Sequence, residues 1–386
     1  MEEFIHLAHT ARVVAGMLYK VGILPPHNDQ QVDFAFSVYQ KTGNEGDDLS
    51  KEFKQTFAMP ATVKFVGVWD TVSSVGIIPR SHPYTSVNYA VQHFRHALAL
   101  DERRARFRPN FWCEPTPGRE QELDVDEHSI KIPEPGASRE NWSYSPPDRD
   151  ICDVQEVWFA GCHADIGGGS HPNKIRESLS HIPLRWMIKE SLLAGSGILF
   201  DLRYLKSLGI NVKALSEELK AKGHDLNALG FTPEALKELE ADKAVILAPH
   251  RNLKHIHTNN HPSPRLLSHV QRIHENHVDI LAKIFDQLSL VFWWWILELL
   301  PLLVTYQKAD GNWVRRRMRN FGQGRYIPLA DDGIKVHVSV KIRIEESEKT
   351  DEPYIPAAYN WSIASTSEKF MWVGDEEEEK KEEEPK

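Results

Sequence analysis

The stretch Glu156–Gly169 reads EVWFAGCHADIGGG, and it decides the fold of this chain. A short apolar run ends abruptly in a histidine, an aspartate and three glycines. Strands that are buried on both faces are apolar along their whole length, and in open α/β sheets the chemistry lies just beyond the carboxyl ends of such strands. The stretch therefore predicts a parallel strand over residues 154–160, with functional side chains directly after it.

Residues 63–72, VKFVGVWDTV, repeat this pattern and place Asp70 at the end of a second apolar run. An aspartate and a later histidine, here His163, are two members of a hydrolase triad, in which the carboxylate fixes the imidazole tautomer and the imidazole accepts the proton of the nucleophile. Each residue alone has a plainer explanation, because an aspartate after a strand often caps a turn and a histidine is often a satisfied core residue. The third member, a serine on a Gly-x-Ser-x-Gly elbow, occurs nowhere in the 386 residues.

The loop that follows His163 offers supporting groups. Gly167 and Gly168 allow positive φ and close backbone approach, so they either shape a tight loop beside the histidine or form an ordinary turn. Asp165 could orient His163, bind a cation or cap the loop. Cys162 and His163 are neighbours on an extended chain and point to opposite faces, so a Cys/His pair is not expected.

The composition excludes several classes of protein. A hydrophobic fraction of 41% and an aromatic fraction of 10% are too high for a disordered chain, and a net charge of −9 gives no global basic field for nucleic acid. Three cysteines in so long a chain indicate a reducing compartment, and the N-terminus shows no secretory signal, so a cytoplasmic location is expected. Neither a cofactor nor a metal site is expected.

Periodicity predicts several further elements. Apolar residues at helical spacing predict helices over residues 10–24, 89–107 and 182–193. The second of these carries Arg, His and Glu side chains, which are expected on its solvent side. Alternation of apolar and polar residues predicts a late strand over residues 336–344.

These elements define the predicted domain organisation. Residues 110–150 are rich in Pro, Gly, Glu and Ser and predict an irregular insertion, while residues 201–261 predict a helical insertion. The fold class is therefore α/β, with an incomplete hydrolase-like parallel sheet and flanking helices in a domain of residues 1–360. Residues 361–386 are predicted to form an acidic disordered tail.

The stretch of residues 288–304 is strongly apolar, with one charged residue and three adjacent tryptophans, Trp293, Trp294 and Trp295. It is short for a bilayer span, which needs about 20 apolar residues. It is either a core helix or an interfacial element, since tryptophan prefers the headgroup boundary. Arg315 and Arg316 follow and could meet phosphate headgroups, which predicts peripheral contact with a lipid or membrane surface, unless they form a solvated basic loop.

Five motifs together resemble one family of α/β-hydrolases, typified by bacterial type VI secretion phospholipase effectors and including many uncharacterised fungal members. They are the two strand-end stretches, a following helix and two late segments, which read FVGVWDTVSSVG at 65–76, EVWFAGCHADIGGG at 156–169, LSHIPLRWM at 179–187, VHVSV at 336–340 and YIPA at 354–357. The resemblance covers residues 10–360, and the strand-end motifs are long enough to be specific.

The resemblance implies roles for three residues. Asp70 would be the triad acid and His163 the triad base, with His337 as the second candidate for the base because the hydrolase histidine often comes late in the chain. In the family a Gly-Phe-Ser-Arg-Gly-Ala elbow precedes the helix that resembles residues 10–24, whereas residues 1–9 here read MEEFIHLAH. The chain is therefore expected to be a form truncated before the elbow.

The chain is expected to be a member of a phospholipase-like family of serine lipid-ester hydrolases. It is expected to retain the Asp and His motifs of that family and to lack the nucleophile. The alternative is a non-catalytic relative that binds lipid or a protein partner. A sheet without its first strands would expose an edge, at which a protein partner could pair. In a third arrangement a separate chain supplies the serine, and activity would arise only on mixing the two.

Overall fold

The structure is a computed structural model that describes residues 2–41, 43–72, 84–85, 88, 90–112, 152–171, 177–241, 278–307, 313–329, 333–350 and 352–374, with main chain only at 2–7, 44, 240–241 and 303–316. The chain divides into two compact units. The first comprises residues 1–170, 284–341 and 354–386, and the second comprises residues 171–283 and 342–353. The predicted insertion at 110–150 lies almost wholly outside the described residues.

The described strands are β1 (Val63–Trp69), β2 (Val91–Ala99), β3 (Asp153–Phe159), β4 (Leu302–Gln307), β5 (Trp313–Met318), β6 (Ile334–His337) and β7 (Phe370–Val373). Five of them form a parallel sheet in the first unit, in the order β1-β2-β3-β6-β7, and β4 pairs with β5 as an antiparallel hairpin. The sheet confirms the predicted α/β class and the two strands before Asp70 and His163. Because the strands are parallel, the residues that follow them meet at one edge.

Strand β2 corrects the prediction of a helix over residues 89–107. The charged side chains expected on a solvent face are buried in pairs with β3: Arg95 contacts Asp153 at 2.6 Å, and His96 contacts Glu156 at 2.8 Å. A strand in the middle of a parallel sheet is covered on both faces, so charged residues persist there only when they are paired. The pairs also fix the register of β2 against β3, in which His96 lies opposite Glu156.

Helices α1 (Glu2–Val21), α2 (Val32–Gln40) and α3 (Gly43–Phe57) lie in the first unit. The prediction for residues 10–24 is confirmed as part of α1, although the helix ends three residues before the predicted end. It ends at Gly22, where φ is +79° and an added Cβ would lie 2.6 Å from the carbonyl oxygen of Met59. The three helices share an apolar cluster whose most buried members are Val38 and Tyr39.

Helix α4 (His163–Gly167) lies in the first unit. The second unit is built from helices α5 (His181–Leu193), α6 (Leu202–Ser207), α7 (Val212–Ala221) and α8 (Pro233–Ala241). Helix α5 confirms the helix predicted over 182–193. Asp201 and Asn211 cap the next two helices by accepting hydrogen bonds from main-chain amides in their first turns. Residues 242–277 of the predicted helical insertion lie outside the described residues.

The apolar stretch of residues 288–304 is not one core helix. It comprises two short helices, α9 (Gln287–Leu290) and α10 (Trp294–Leu299), followed by strand β4. None of the helices within the described ranges is both long and apolar enough to span a bilayer.

The C-terminal part differs from its prediction at two places. The strand predicted over 336–344 stops at His337, and residues 338–347 continue as helix α11 (Val338–Ser347). The predicted tail of residues 361–386 is wrong in its first part, because helix α12 (Trp361–Ala364) and strand β7 lie there. The acidic run begins only at Asp375, and residues 370–373 are apolar enough to pair with β6.

Candidate active site

Asp70 and His163 meet at the carboxyl edge of the sheet, where each follows a parallel strand, and β2 lies between these two strands. Asp70 follows β1 directly, and His163 is the first residue of helix α4 (His163–Gly167), which follows β3. The Nδ1 atom of His163 lies 2.6 Å from Oδ2 of Asp70, and both side chains are buried. The geometry is that of a carboxylate holding an imidazole by one nitrogen.

Arg325 completes this contact from the other side of Asp70. Its two terminal nitrogens donate to Oδ1 and Oδ2 of the carboxylate at 2.5 and 2.8 Å, and the main-chain amide of Ala99 donates to Oδ1 at 2.9 Å. Burial alone would raise the pKa of Asp70, but the charge of Arg325 and the hydrogen bonds from His163 and Arg325 outweigh it. The pKa therefore lies well below the usual carboxyl range, and Asp70 stays ionised.

Sequence reasoning missed Arg325, although one signal was available. A buried carboxylate needs a cation or several donors, so Asp70 implied a partner that the strand-end motifs did not contain. Arg325 follows Gly324, where an added Cβ would lie 1.7 Å from the carbonyl oxygen of Ala357. Only glycine fits there, and the close approach holds the segment of Arg325 against that of Ala357.

The turn after Asp70 is fixed by a buried histidine of β2. Asp70 has a φ of +43°, an uncommon conformation that aspartate tolerates. The amide of Thr71 donates to Nε2 of His96 at 3.0 Å, and Nδ1 of the same ring lies 2.8 Å from Glu156. Burial lowers the pKa of His96, which keeps Nε2 available as an acceptor for Thr71. His96 thus positions Asp70 without touching it.

Asp165 caps the loop rather than orienting the imidazole. Its Oδ2 atom accepts hydrogen bonds from the amides of Cys162 at 3.0 Å and Phe285 at 2.9 Å. Together with the side chain of Cys162, it forms a capping box at the start of α4. Gly167 ends the helix, and Gly168 follows with a φ of +87° that favours glycine.

A further glycine, Gly161, sets the entry to this loop. Its φ is +120°, and an added Cβ would lie 2.6 Å from Cβ of Asp165. Its amide donates to Asp101 at 2.6 Å, and the same carboxylate accepts from the Tyr354 hydroxyl and the Ala357 amide. The late YIPA motif therefore supports the loop that carries His163.

Replacing Gly161 by Ala is expected to lower the free energy of unfolding by about 2–6 kcal/mol. Backbone strain contributes about 1–3 kcal/mol and the overlap with Asp165 a similar amount. Gly169 is the matched control, since its φ is +83° and no described atom lies within 4 Å of an added Cβ. Gly169→Ala should therefore show the strain term alone. Urea unfolding measures both, and equal losses would contradict the overlap.

Glu102 contacts the main chain of His163, and Phe107 contacts its ring. The His163 amide donates to Glu102 at 3.2 Å, and the Phe107 ring meets the imidazole edge-on, with 5.2 Å between centroids. Burial alone would raise the pKa of Glu102, but hydrogen bonds from Arg104 lower it overall, and the guanidinium of Arg104 also stacks on Phe107. Asp70 and Glu102, the two carboxylates that contact His163, are thus each paired with an arginine.

The structure gives His337 a different environment. It ends β6, its ring stacks on Phe159 with 4.7 Å between centroids, and its Nδ1 atom lies 2.9 Å from the hydroxyl of Ser339. Of the two candidate histidines, His163 is the one that the structure places in contact with the Asp70 carboxylate.

The three tryptophans predicted to contact lipid point in different directions. Trp293 is exposed, Trp294 packs on Phe107 with 5.5 Å between centroids, and Trp295 donates from its indole nitrogen to the carbonyl of Leu288. The side chains of Arg315 and Arg316 lie outside the described ones.

A parallel sheet flanked by helices, with a buried Asp–His pair at its carboxyl edge, defines an α/β-hydrolase-like protein. Residues 4–190 match the family model described as T6SS, phospholipase effector Tle1-like, catalytic domain. The resemblance recognised from the strand-end motifs is thereby confirmed over these residues.

The chain also aligns with two other proteins. The "Uncharacterized protein YEL023C" of Saccharomyces cerevisiae is 25% identical over an alignment that covers 90% of this chain and 64% of the relative. The chain thus spans less than two thirds of that relative's length. A crystal structure of an uncharacterized protein from Pseudomonas aeruginosa aligns with 61% of this chain and 28% of its own, at 14% identity and a TM-score of 0.26.

Proposed function

We propose that this chain carries the acid and base of a serine-type lipid-ester hydrolase. The observation that supports the proposal is the 2.6 Å contact between Nδ1 of His163 and Asp70 at the carboxyl edge of the sheet. Asp70 is ionised, so it holds the imidazole with its proton on Nδ1 and leaves Nε2 as the atom that can accept a proton.

In the proposed reaction, Nε2 of His163 takes the proton of a serine hydroxyl as its oxygen attacks the ester carbonyl. The protonated imidazole then gives this proton to the departing alcohol, and a water molecule activated in the same way hydrolyses the acyl-serine. No Gly-x-Ser-x-Gly motif occurs in the 386 residues, and in the proposed reaction the serine is supplied by another segment of the protein or by a second chain.

The test uses the protein as the cell makes it, expressed from its own gene with a C-terminal affinity tag so that any upstream coding sequence is retained. A fluorophosphonate probe, which reacts with activated serines, and a soluble short-chain ester are the two readouts. We expect covalent labelling together with ester hydrolysis. A protein that shows neither, alone or mixed with its co-purifying partners, would overturn the catalytic proposal.

A second candidate function, lipid binding without catalysis, is favoured by one observation. The sequence lacks the elbow motif, while an apolar surface next to the site is exposed. In that case the same preparation would bind vesicles and leave both the ester and the probe untouched.

A further inference from the structure

The segment of helices α9 and α10, together with Phe321, carries an exposed apolar surface, which we call the apolar tip. It consists of the exposed side chains of Leu290, Phe292, Trp293, Ile296, Leu299 and Phe321. Phe292 and Trp293 are 76% and 74% exposed. Trp293 at the N-cap of α10, Ile296 and Leu299 recur at a spacing of three residues, which places them on one face of the helix. Single exposed apolar residues are common in proteins, but a group of large ones marks an interaction site.

Hydrogen bonds hold the inner face of α10 against the protein, and this keeps the tip on its outer face exposed. Glu298 is buried, and its carboxylate accepts from the amides of Ala105 at 2.6 Å and Gly322 at 3.1 Å. The side-chain amide of Asn320 donates to the same carboxylate at 2.5 Å. Trp295 packs closely against Gly322, since an added Cβ on this glycine would lie 3.1 Å from the Trp295 ring. The one charge of the apolar run thus ties α10 to two other segments.

Two exposed arginines lie in the segment that runs beside the tip. Arg317 and Arg319 are exposed, and they flank Met318, which pairs with Leu302 directly after α10. The amide of Asn320 donates to the carbonyl of Glu298, so this segment runs along the base of the tip. Asp286, the acidic residue near α9, is paired with Arg103.

We propose that the apolar tip is the surface by which this protein docks on a bilayer that carries anionic headgroups. Exposed aromatic residues next to arginines match the water–hydrocarbon boundary, where the rings enter the interface and the cations meet phosphate. The proposal deepens the proposed function and rests on it for the identity of the substrate as a bilayer lipid.

The tip is connected to His163 by ring contacts. Trp294, next to the exposed Trp293, meets Phe107 edge-on, and Phe107 meets the His163 imidazole edge-on. Arg104 lies over both Phe107 and Trp294, with 3.4 and 4.9 Å to the ring centroids. A bilayer on the tip would therefore lie two rings away from the proposed base, which suits an ester held at the membrane surface.

Vesicle sedimentation of the full chain tests the docking surface, with vesicles of phosphatidylcholine alone and of phosphatidylcholine mixed with phosphatidylserine. Phe292→Ser/Trp293→Ser should weaken binding to both vesicles by about tenfold or more, because two aromatic side chains lose their burial in the interface. Arg317→Gln/Arg319→Gln should weaken binding to the anionic vesicles only, by about fivefold for each arginine. The matched control is Leu199→Ser/Tyr204→Ser, which changes two exposed residues of the second unit and should bind as the parent does.

A second readout does not depend on fold stability. Brominated lipids should quench part of the tryptophan fluorescence of the parent, and Trp293→Phe should remove that part. His163→Gln should bind vesicles normally, so a failure of docking and a failure of the proposed hydrolysis, measured on the soluble ester, can be told apart. Unchanged vesicle binding by Phe292→Ser/Trp293→Ser overturns the proposal. The proposal is also overturned if the parent does not bind vesicles and is a dimer that Phe292→Ser/Trp293→Ser converts to a monomer. In that case the tip would join two copies of the chain.

Discussion

His163→Gln is expected to reduce ester hydrolysis by the cell-made protein by about 10⁴-fold or more, because a glutamine cannot accept and return the serine proton. Asp70→Asn should cost about 10⁴-fold, since an amide no longer fixes the imidazole with Nε2 unprotonated. The 2.6 Å contact between the two side chains predicts that the double variant loses little more than the worse single variant. Initial rates on a soluble ester measure all three.

His337→Gln is the matched control for the base. His337 is the last residue of β6, another strand of the same sheet, and its ring contacts the hydroxyl of Ser339. Its replacement should therefore change the rate of hydrolysis by less than about tenfold. If His337→Gln abolished hydrolysis and His163→Gln did not, the two roles would have to be exchanged.

Arg325→Met is expected to cost about 3–5 kcal/mol of the free energy of unfolding, because it leaves the ionised and fully buried Asp70 without its cation. Arg325→Met/Asp70→Asn should be more stable than Arg325→Met alone, since the remaining group is neutral. The exposed Arg319 is the control, and its change to Met should stay within about 0.5 kcal/mol. Urea unfolding of the four proteins at neutral pH gives the comparison.

The same pair predicts a pH dependence with a definite sign. The pKa of Asp70 is lower in the folded protein than in the unfolded chain, so its contribution is fully present above the unfolded value, near 3.8, and is lost as the pH falls through the folded one. In Arg325→Met the lowering shrinks, because the largest cause that opposes burial is removed. The gain of stability between acid and neutral pH should therefore be smaller in the variant, and an equal gain would show that Arg325 does not set the pKa of Asp70.

The sequence predicted the part of the site that follows local rules. Two apolar runs, each ending in a polar group, give two parallel strands whose ends share an edge, so Asp70 and His163 were expected to meet. The register of β2 was not predictable in this way, because Arg95 and His96 look solvent-facing until their partners on β3 are known. A charged residue in a pattern does not say whether it faces water or a counter-charge.

Other features depend on contacts between distant segments. The apolar run at 288–304 reads as one element by composition, but the buried Glu298 and the exposed Trp293 show that its outward and inward faces are set by Ala105, Asn320 and Gly322. Arg325 carries no local motif, and only the need to neutralise Asp70 pointed to a residue of its kind.

The Asp70–Arg325 pair joins positions 255 residues apart. At about 5–20 residues per second, a ribosome makes the aspartate roughly 13–50 s before its arginine. Throughout that interval the nascent chain holds a strand end whose carboxylate cannot be buried without a large penalty, so it must stay hydrated. The Asp70–His163 contact therefore gains its neutralising cation only late in synthesis. A chain released before residue 325 would contain strands β1, β2 and β3 but neither that cation nor strands β6 and β7.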